Sequence, residues 1–421
     1  MDKGPLAHKA LFFLLSLTAL TLPFDDYNYG GIGSVFRILG SFTLYVFLAL
    51  LLLSPRVRID FLTSVRSPIA GVLIVFVAWS IVTSAWAPNP NWALSRAITY
   101  VGLLGMAFAI SVLPLSKVVG LWHVILVGSL ISLPLGFFLP RPDPVYMESG
   151  RFSSGGKDPN DYANLVLIVF LVSVFGTASY ARGVSRLLIL LSAWLSLTAI
   201  PLSGSRTAIV SASLLTPLGW LTQGLRGILV GLIALMLLGA TTFVLKDNEP
   251  FGGYYETFTR RAQSLGEIEN ESTWSGRIDI WRAAWHAFTL YPIGGVGLGN
   301  FVWVSPEYSP TAAWIASMRE DRGGGLAHNT FLSVLAETGV IGFVSFLALQ
   351  ILLFLRLSRL YKRHALARGL LLGLLGYWFA SLTLTWEYVK IPFFLYGSIL
   401  AFERELLRGC RKRVVSLRGD S

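Results

Sequence analysis

Residues 329–355 read NTFLSVLAETGVIGFVSFLALQILLFL, and this stretch decides the fold. It contains a single charged side chain, Glu337. So long an apolar run is typical of a transmembrane helix, because about 20 helical residues cross the hydrocarbon core of a bilayer. Over the whole chain, 54% of residues are hydrophobic and 14% are charged. A soluble protein of this length could not cover that much apolar surface, so the sequence predicts a membrane protein.

Eleven further apolar runs of about 15 to 25 residues follow the same logic. The sequence therefore predicts an all-α integral membrane protein with about 12 transmembrane helices. Helices 1 to 9 fall in residues 1–245 and helices 10 to 12 in residues 328–403, before a basic cytoplasmic tail at 404–421. Between them lies a polar stretch, 246–327, here called the lid, and a loop of that length is usually functional or independently structured. The predicted spans are 10–24, 38–54, 68–86, 97–115, 118–139, 162–180, 187–202, 207–223, 227–245, 329–355, 369–386 and 389–403.

The net charge of +11 is distributed unevenly across this predicted topology. With the N-terminus inside, the cytoplasmic segments hold 20 of the 34 Lys and Arg but 5 of the 23 Asp and Glu. The cytoplasmic side is therefore +15 and the other side −4. This positive-inside asymmetry predicts both termini in the cytoplasm and the lid outside it. It also explains the basic composition without a nucleic-acid partner.

Three further observations narrow the class of protein. A single cysteine, Cys410, excludes an internal disulfide framework and any metal site with several cysteines. No small-residue cleavage site follows Ala10–Phe24, which is interpreted as a retained first span rather than a signal peptide. The chain has no G-x-x-x-x-G-K-[ST] motif and only short cytoplasmic loops, so no nucleotide is expected and transport driven by ATP is not indicated.

The lid is predicted to contain two helices. Ser275 can cap a helix that runs to about Tyr291, with Asp279 near its positive end. A second short helix is expected from Pro310 to about Arg322, before the glycines at 323–325. The first helix has an aromatic and apolar stripe, which suits a helix that lies on the membrane or caps the bundle. The stripe consists of Ile278, Trp281, Ala284, Trp285 and Phe288.

Three basic residues are the first candidates for chemistry. Arg206 lies in Ser203-Gly204-Ser205-Arg206, a tight connection between two spans, and either binds a ligand or reaches for lipid headgroups. Arg277 is predicted at the start of the first lid helix, where it could bind an anion together with the free backbone N–H groups. Alternatively, it is an exposed loop arginine. His328 follows the glycines and is either a proton acceptor or a helix cap.

A second polar cluster precedes the sixth predicted span. Arg151 and Lys157 could add positive charge to an anion site, together with Asn160. Asp158 and Asp161 suggest a divalent cation only weakly, because two carboxylates also serve turns and caps, and no metal is expected. The candidate substrate-binding residues are Arg151, Lys157, Asn160, Arg282 and Asn329.

Glu337 lies nine residues beyond His328, about 13 Å further along a helix and on its opposite face. It is therefore predicted to hydrogen-bond a neighbouring helix rather than to share a pocket with the histidine. Gly339 and Gly342 favour close helix packing there. Arginines are suited to bidentate contacts with phosphates, so Arg206, Arg277 and His328 on one side of the membrane suit a lipid-linked phosphate or pyrophosphate.

These segments together resemble the O-antigen ligase-like family of bacterial polysaccharide membrane proteins. Order, spacing and predicted side of the membrane carry the resemblance, since each motif alone is short. The motifs are Ser203–Arg206, Ser275-Gly276-Arg277 through Trp281, Pro292-Ile293-Gly294-Gly295-Val296-Gly297-Leu298-Gly299, His328–Leu332 through Glu337–Gly339 and Gly342, with Arg151 before Pro159-Asn160 and, more weakly, Trp86–Pro90.

The resemblance implies a metal-independent glycosyltransferase of GT-C-like architecture in the bacterial inner membrane, working on the periplasmic side. Its donor would be a glycan on undecaprenyl pyrophosphate, with no cofactor, among membrane lipids. Arg206 and Arg277 would bind the pyrophosphate, and His328 would activate or orient the acceptor hydroxyl. An O-antigen ligase would use lipid A-core as acceptor and is the favoured interpretation.

Other interpretations stay open. Within the family, a Wzy-type polymerase would extend another lipid-linked repeat, and a protein O-oligosaccharyltransferase would modify Ser or Thr. The alternative from another class is a transporter or flippase for an anionic lipid. Broken helices near the membrane midplane and paired repeats would support a transporter, and the sequence predicts neither.

Overall fold

A computed structural model describes residues 4–25, 34–138, 150–225, 227–229, 231–232, 236, 239–240, 251–263, 272–319 and 323–419. Within these ranges every regular element is a helix. Seven of the helical segments are long and apolar enough to cross a membrane. The described part of the chain is therefore all-helical and has the character of an integral membrane protein.

The helices are numbered here in chain order through the described ranges. They are α1 (Gly4–Leu20), α2 (Val35–Leu53), α3 (Pro55–Val65), α4 (Pro68–Val82), α5 (Pro90–Ser111), α6 (Leu115–Phe138), α7 (Pro159–Phe175), α8 (Gly183–Leu197), α9 (Ala199–Ser203), α10 (Arg206–Leu221), α11 (Phe251–Gln263), α12 (Ser272–Leu290), α13 (Phe301–Tyr308), α14 (Pro310–Met318), α15 (Thr330–Ser358), α16 (Ala365–Ser381) and α17 (Lys390–Gly419).

Most predicted spans correspond to helices within a few residues. The seven membrane-length segments match the predicted spans that begin at 38, 68, 97, 118, 162, 187 and 329, and two shorter apolar helices match those that begin at 10 and 369. The predicted span 207–223 is α10. Most of the predicted span 227–245 lies outside the described residues. The last predicted span and the predicted tail form one continuous helix, α17.

The centre of the bundle is α7. In its most apolar stretch, 94% of the residues are buried inside the protein, against 17% for α2. Helices α16, α10 and α8 pack around it, while α5 packs on α17 and α4 on α15. A helix surrounded by other helices needs apolar side chains on every face, whereas a peripheral helix presents its leucines outward. The apolar composition of these two helices therefore has two different structural reasons.

Helix α3 was not predicted. α3 turns immediately after α2 and begins with Pro55, a residue favoured at the first helical position. Val57, Asp60 and Ser64 form its buried face, at spacings of three and four residues. Two arginines and an aspartate within eleven residues are poorly suited to a membrane span, so the sequence alone predicts a short basic connection here.

Helix α15 is broken at Gly339, and the expectation of unbroken helices was wrong. Gly339 has φ 64° and ψ −168°, a combination reserved for glycine. The glycine-rich segment 292–297 fills the break: Val296 N donates to Ala336 O over 2.9 Å, and Val340 N donates to Pro292 O over 2.8 Å. A Cβ on Gly339 would lie 2.2 Å from the Ile293 carbonyl oxygen. The glycines therefore allow two main chains to touch.

Candidate active site

The candidate site is built on the turn between α9 and α10. Arg151 is buried beside it, and its Nε donates to Ser203 O over 2.9 Å while Nη2 donates to Asn160 Oδ1 over 2.8 Å. Phe152 N also donates to Leu202 O over 3.0 Å. Two of the predicted clusters, far apart in sequence, are thus brought together by direct hydrogen bonds.

Arg206 is the first residue of α10, which Ser205 caps by accepting a hydrogen bond from Ala208 N. Its side chain is half-buried. The next residue, Thr207, lies 2.6 Å from Thr383 between their hydroxyl oxygens. Arg206 therefore starts beside the connection between α16 and α17.

Residues 383–387 form a hub that ties the site together, here called the 383–387 hub. Thr385 Oγ1 accepts from His328 N over 3.0 Å, and Leu384 O accepts from the Thr330 hydroxyl over 2.8 Å. Trp386 Nε1 donates to Asp161 Oδ1 over 2.7 Å. This hub was not predicted from the sequence, because most of its residues fall in a predicted span. Three polar side chains in Thr383-Leu384-Thr385-Trp386-Glu387 were the available signal.

His328 has an unusual backbone. Its φ of 47° is the only positive value at a non-glycine residue in the part of the chain that the structure describes. Such geometry costs of order 1–3 kcal/mol and is concentrated at functional sites. The hydrogen bond to Thr385 helps to hold this conformation. The strain therefore marks His328 as a residue whose position matters.

The electrostatics of His328 reveal its neighbours. Burial and the positive charge of Arg277 lower the pKa of His328 to about 4, against a smaller opposing effect of Asp158. Arg277 and Asp158 therefore both lie within electrostatic reach of the imidazole, which is neutral at physiological pH. The structure brings two of the three predicted catalytic residues together. Asp158, considered from the sequence only for a metal or a cap, is a further neighbour.

Arg277 lies in the second turn of α12, not at its start, because the helix begins at Ser272 rather than after Ser275. The prediction that Arg277 shares an anion with free N–H groups was therefore wrong, since those groups belong to the first four residues of a helix. Arg277 is half-buried. Its proximity to His328, rather than a helix terminus, is what places it at the site.

The face of α12 that packs on α15 also differs from the predicted stripe. Of the five stripe residues, Ala284 is fully buried, whereas Ile278 and Trp285 are exposed. The buried face consists of Ile280, Ala283, Ala284 and Ala287. Alanines allow the helices to approach closely, so small side chains rather than aromatic ones form this interface.

Several predicted substrate contacts have structural partners. Asn329 caps α15 by accepting from Leu332 N over 3.1 Å, and Asp158 caps α7 by accepting from Asn160 N over 2.6 Å. Lys157 is buried in contact with Asp25, whose other oxygen lies 2.8 Å from Lys390 Nζ. The prediction of Lys157 as a free anion contact therefore gives way to a buried ion pair.

Arg282 and Glu337 lie elsewhere. Arg282 is exposed on α12, where its charge acts on Asp279. Glu337 hydrogen-bonds as predicted, but its partners are Gly299 N at 2.8 Å and Phe301 N at 3.4 Å rather than a neighbouring membrane helix. Its carboxylate therefore serves the N-terminus of α13, where negative charge is favourable.

The second predicted lid helix is confirmed as α14, which begins at Pro310 and ends at Met318, before the undescribed residues 320–322. Helix α13 precedes it and was not predicted. Asp279 fastens α14 to α12. Its carboxylate accepts from the Ser309 hydroxyl and from Thr311 N, the latter over 3.1 Å. Although burial opposes it, these hydrogen bonds and Arg282 lower the pKa of Asp279 below its usual range. The lid helices are thus joined by a carboxylate that stays ionised at neutral pH.

Replacing Asp279 with alanine should loosen the lid. Unpaired donors at Ser309 and Thr311 cost about 1–3 kcal/mol, so we expect faster hydrogen exchange and proteolysis across 309–319. In the wild type the same loosening should appear only when the pH falls below the ordinary pKa range of an aspartate. Because the pKa of Asp279 is lowered in the folded lid, the ionised carboxylate stabilises the lid until Asp279 becomes protonated. Exposed Glu307→Ala is the matched control. Equal exchange in both variants would contradict this fastening role.

The fold and site define a helical membrane protein in which His328 lies within electrostatic reach of Arg277, beside a helical lid. Residues 191–347 match the family model described as O-antigen ligase, a region that contains Arg206, Arg277 and His328. The chain is also similar to the exopolysaccharide production protein ExoQ of Rhizobium meliloti (strain 1021), at 25% identity over 285 residues. That match covers 65% of this chain and 61% of the length of the relative. Both matches are to O-antigen ligase-like proteins, which agrees with the resemblance that the sequence motifs indicated.

Proposed function

We propose that this protein is an O-antigen ligase that transfers a glycan from undecaprenyl pyrophosphate to lipid A-core. The observation that carries the proposal is a half-buried histidine whose pKa is lowered by burial and by a nearby arginine, Arg277. A guanidinium beside a neutral imidazole supplies a phosphate contact and a proton acceptor in one place. Arg206 and Arg151, tied to the same region through the 383–387 hub and Ser203, support the same interpretation.

The reaction needs no redox partner. The acceptor hydroxyl oxygen attacks the anomeric carbon of the glycan, a new carbon–oxygen bond forms, and the bond to the pyrophosphate oxygen breaks. His328 takes the hydroxyl proton, and undecaprenyl pyrophosphate leaves with the bonding electron pair. Arg206 and Arg277 stabilise the charge that develops on the leaving group, which is usually the largest electrostatic contribution to such catalysis.

A neutral imidazole favours the base role over a purely electrostatic one. An imidazole with a pKa of about 4 is already unprotonated at neutral pH and so can accept a proton. Its conjugate acid would be too strong to persist beside Arg277, so the proton is expected to pass on to the departing pyrophosphate. The site therefore suits acid and base steps within a single transfer.

The membrane arrangement is part of the proposal. We place the site on the periplasmic side of the bacterial inner membrane, with both termini in the cytoplasm. The uneven charge distribution of the sequence supports this orientation. Both membrane-bound substrates then reach the site from the periplasmic leaflet. A nucleotide sugar in the cytoplasm would have no access to a site on that side.

A polymerase is the second candidate, and one observation favours it. The matched relative is named for exopolysaccharide production, and polymer growth on undecaprenyl pyrophosphate uses the same donor chemistry. The acceptor would then be a second lipid-linked repeat rather than lipid A-core. A transporter is less well supported, because the break in α15 is filled by the chain's own segment 292–297 rather than being open to a ligand.

The test is transfer with purified protein, undecaprenyl-pyrophosphate-linked glycan and lipid A-core, without nucleotide. Parallel reactions contain EDTA or Mg²⁺, and we expect equal rates. Glycan on lipid A-core would establish a ligase. Longer undecaprenyl-linked chains with untouched lipid A-core would establish a polymerase instead. Movement of the lipid across liposomes without any transfer would overturn both.

Replacing either Arg206 or Arg277 with lysine should slow transfer about 10- to 100-fold. Lysine keeps the charge but loses the bidentate contact, and charged hydrogen bonds contribute about 1.5–3 kcal/mol each. We expect the loss mainly in kcat, because the contact strengthens as the pyrophosphate departs. Arg319→Lys, an exposed lid arginine, is the control. An unchanged kcat in both site variants would exclude the pyrophosphate role.

A further inference from the structure

A second polar site lies at the other end of the bundle. Helix α17 starts at Lys390, next to Asp25, and reaches Arg404 fourteen residues later, about 21 Å along its axis. There the structure contains a partly open cavity of about 480 Å³. Helices α1, α3 and α17 supply most of its wall, so it is separate from the His328 site. Its charged lining residues are Lys9, Arg56, Asp60, Lys117, Arg404 and Arg408.

Arg404 is the most informative residue of this cavity. It is 1% exposed, and its Nη2 donates to Leu113 O over 2.9 Å and to Glu405 Oε1 over 2.8 Å. Its Nε and Nη1 are buried without a hydrogen-bond partner among the described residues. The carboxylate of Asp60 stands 3.8 Å from Nη1, beyond hydrogen-bond distance. Buried unpaired donors of a cation are costly, so an acceptor that is not part of this chain is expected to reach them.

The charges favour an anion as that acceptor. Five cations, on Lys9, Arg56, Lys117, Arg404 and Arg408, line the cavity. The single lining carboxylate, Asp60, is already in contact with Arg408 and lies 3.0 Å from His8. Leaving Arg56 aside, four of these cations stand against two carboxylates, Asp60 and Glu405, among the described residues. Among the described lining residues positive charge is therefore in excess, which favours a negative ligand.

The rim of the cavity is apolar. Ile59 lines the cavity and is 58% exposed, and Leu62, one turn further along α3, is also exposed. α3 therefore presents basic and apolar side chains next to each other, as amphipathic helices at a membrane surface do. A soluble phosphate would use the cations but not this rim, whereas a lipid would use both.

We propose that this cavity binds the phosphate group of an anionic membrane phospholipid, with its acyl chains along Ile59 and Leu62. Arg404 donates from the floor of the cavity to a phosphate oxygen, and Lys9, Arg56 and Lys117 surround the headgroup. The bound lipid connects α1, α3 and α17 at the face opposite the transfer site. This inference does not depend on which glycan acceptor the protein uses.

The test measures lipid retention by native mass spectrometry. The full-length protein is reconstituted in nanodiscs of phosphatidylcholine containing phosphatidylglycerol, and released from them with bound lipid. Lys9→Gln with Arg56→Gln removes two cations from the lining of the cavity, and Lys117→Gln provides a second variant should that pair fold poorly. The control removes two exposed cations from the α15–α16 connection, Lys362→Gln with Arg363→Gln.

We expect one saturable phosphatidylglycerol per chain, preferred over phosphatidylcholine. Each basic residue near a membrane surface corresponds to roughly fivefold in affinity, so the double variant should bind about 25-fold more weakly. The control pair should bind as the wild type does. Equal losses in both pairs, or no preference over phosphatidylcholine, would overturn the site. Inorganic phosphate that binds and displaces the lipid would overturn the lipid assignment in favour of a soluble anion.

Discussion

Replacing His328 with asparagine should reduce glycan transfer by about 100- to 10,000-fold, the usual contribution of a general base. Asparagine tolerates the left-handed backbone that this position requires, so the variant tests chemistry rather than strain. Its amide can still donate a hydrogen bond to a substrate but cannot accept a proton at neutral pH. A base role therefore predicts a loss that asparagine does not rescue, whereas a positioning role predicts substantial activity.

The control is His286→Ala, an exposed lid histidine whose ring stacks edge-on against Tyr308 at 5.0 Å. It should transfer at the wild-type rate. His328→Ala is the companion variant, and its thermal unfolding should stay close to that of the wild type if the loss is chemical. A His328→Asn enzyme within tenfold of wild type would remove His328 from the mechanism.

The pH profile gives an independent test of the same residue. Because the pKa of His328 lies at about 4, transfer should be independent of this group at neutral pH and fall only as the imidazole becomes protonated near pH 4. Arg277→Gln removes a positive charge, so the pKa of His328 should rise towards 6.5 and the acidic limb should move upward. The position of the limb is read separately from the lower rate of this variant. An unmoved limb would contradict the proximity of the two residues.

Replacing Gly339 with alanine should destabilise the protein by about 3 kcal/mol or more. A positive φ costs an alanine roughly 1–2 kcal/mol, and its Cβ would lie 2.2 Å from the main-chain oxygen of Ile293, which cannot move aside without breaking the hydrogen bonds at 292–297. We expect a lower midpoint of thermal unfolding and faster proteolysis of the lid. Gly71→Ala is the matched control, because a Cβ there meets nothing within 4 Å. A Gly339 variant as stable as this control would mean that the two main chains do not meet.

The sequence predicted the helices better than their interruptions. Local apolar runs identified spans such as Val35–Leu53 within a few residues, because burial in lipid requires an uninterrupted run. The break at Gly339 depends on a segment more than 40 residues earlier in the chain. Periodicity carries no such long-range information, and a glycine within an apolar run looks the same whether it packs a helix or ends one.

The candidate site shows the same division. Arg206, Arg277 and His328 were predicted from charge in places where charge is costly, and their catalytic roles remain predictions. The 383–387 hub was missed because it forms only when the ends of α7, α10 and α15 meet. On α12 the predicted stripe contained two tryptophans, but the face in close contact with α15 consists mainly of alanines. Residue chemistry could be inferred locally, whereas partners could not.

The insertion of segment 292–297 into the break of α15 has a consequence for engineering chimeras. Three main-chain hydrogen bonds join this segment to residues 336–340. The lid is therefore bonded to the interior of a membrane span and not only connected to its end. A chimera that takes residues 246–327 from a relative would pair a foreign segment 292–297 with the native segment 336–340. An exchange that ends after residue 345 transfers both hydrogen-bonded segments together and should preserve folding. Boundaries for transplanting acceptor specificity between such proteins therefore belong inside the span, not at its surface.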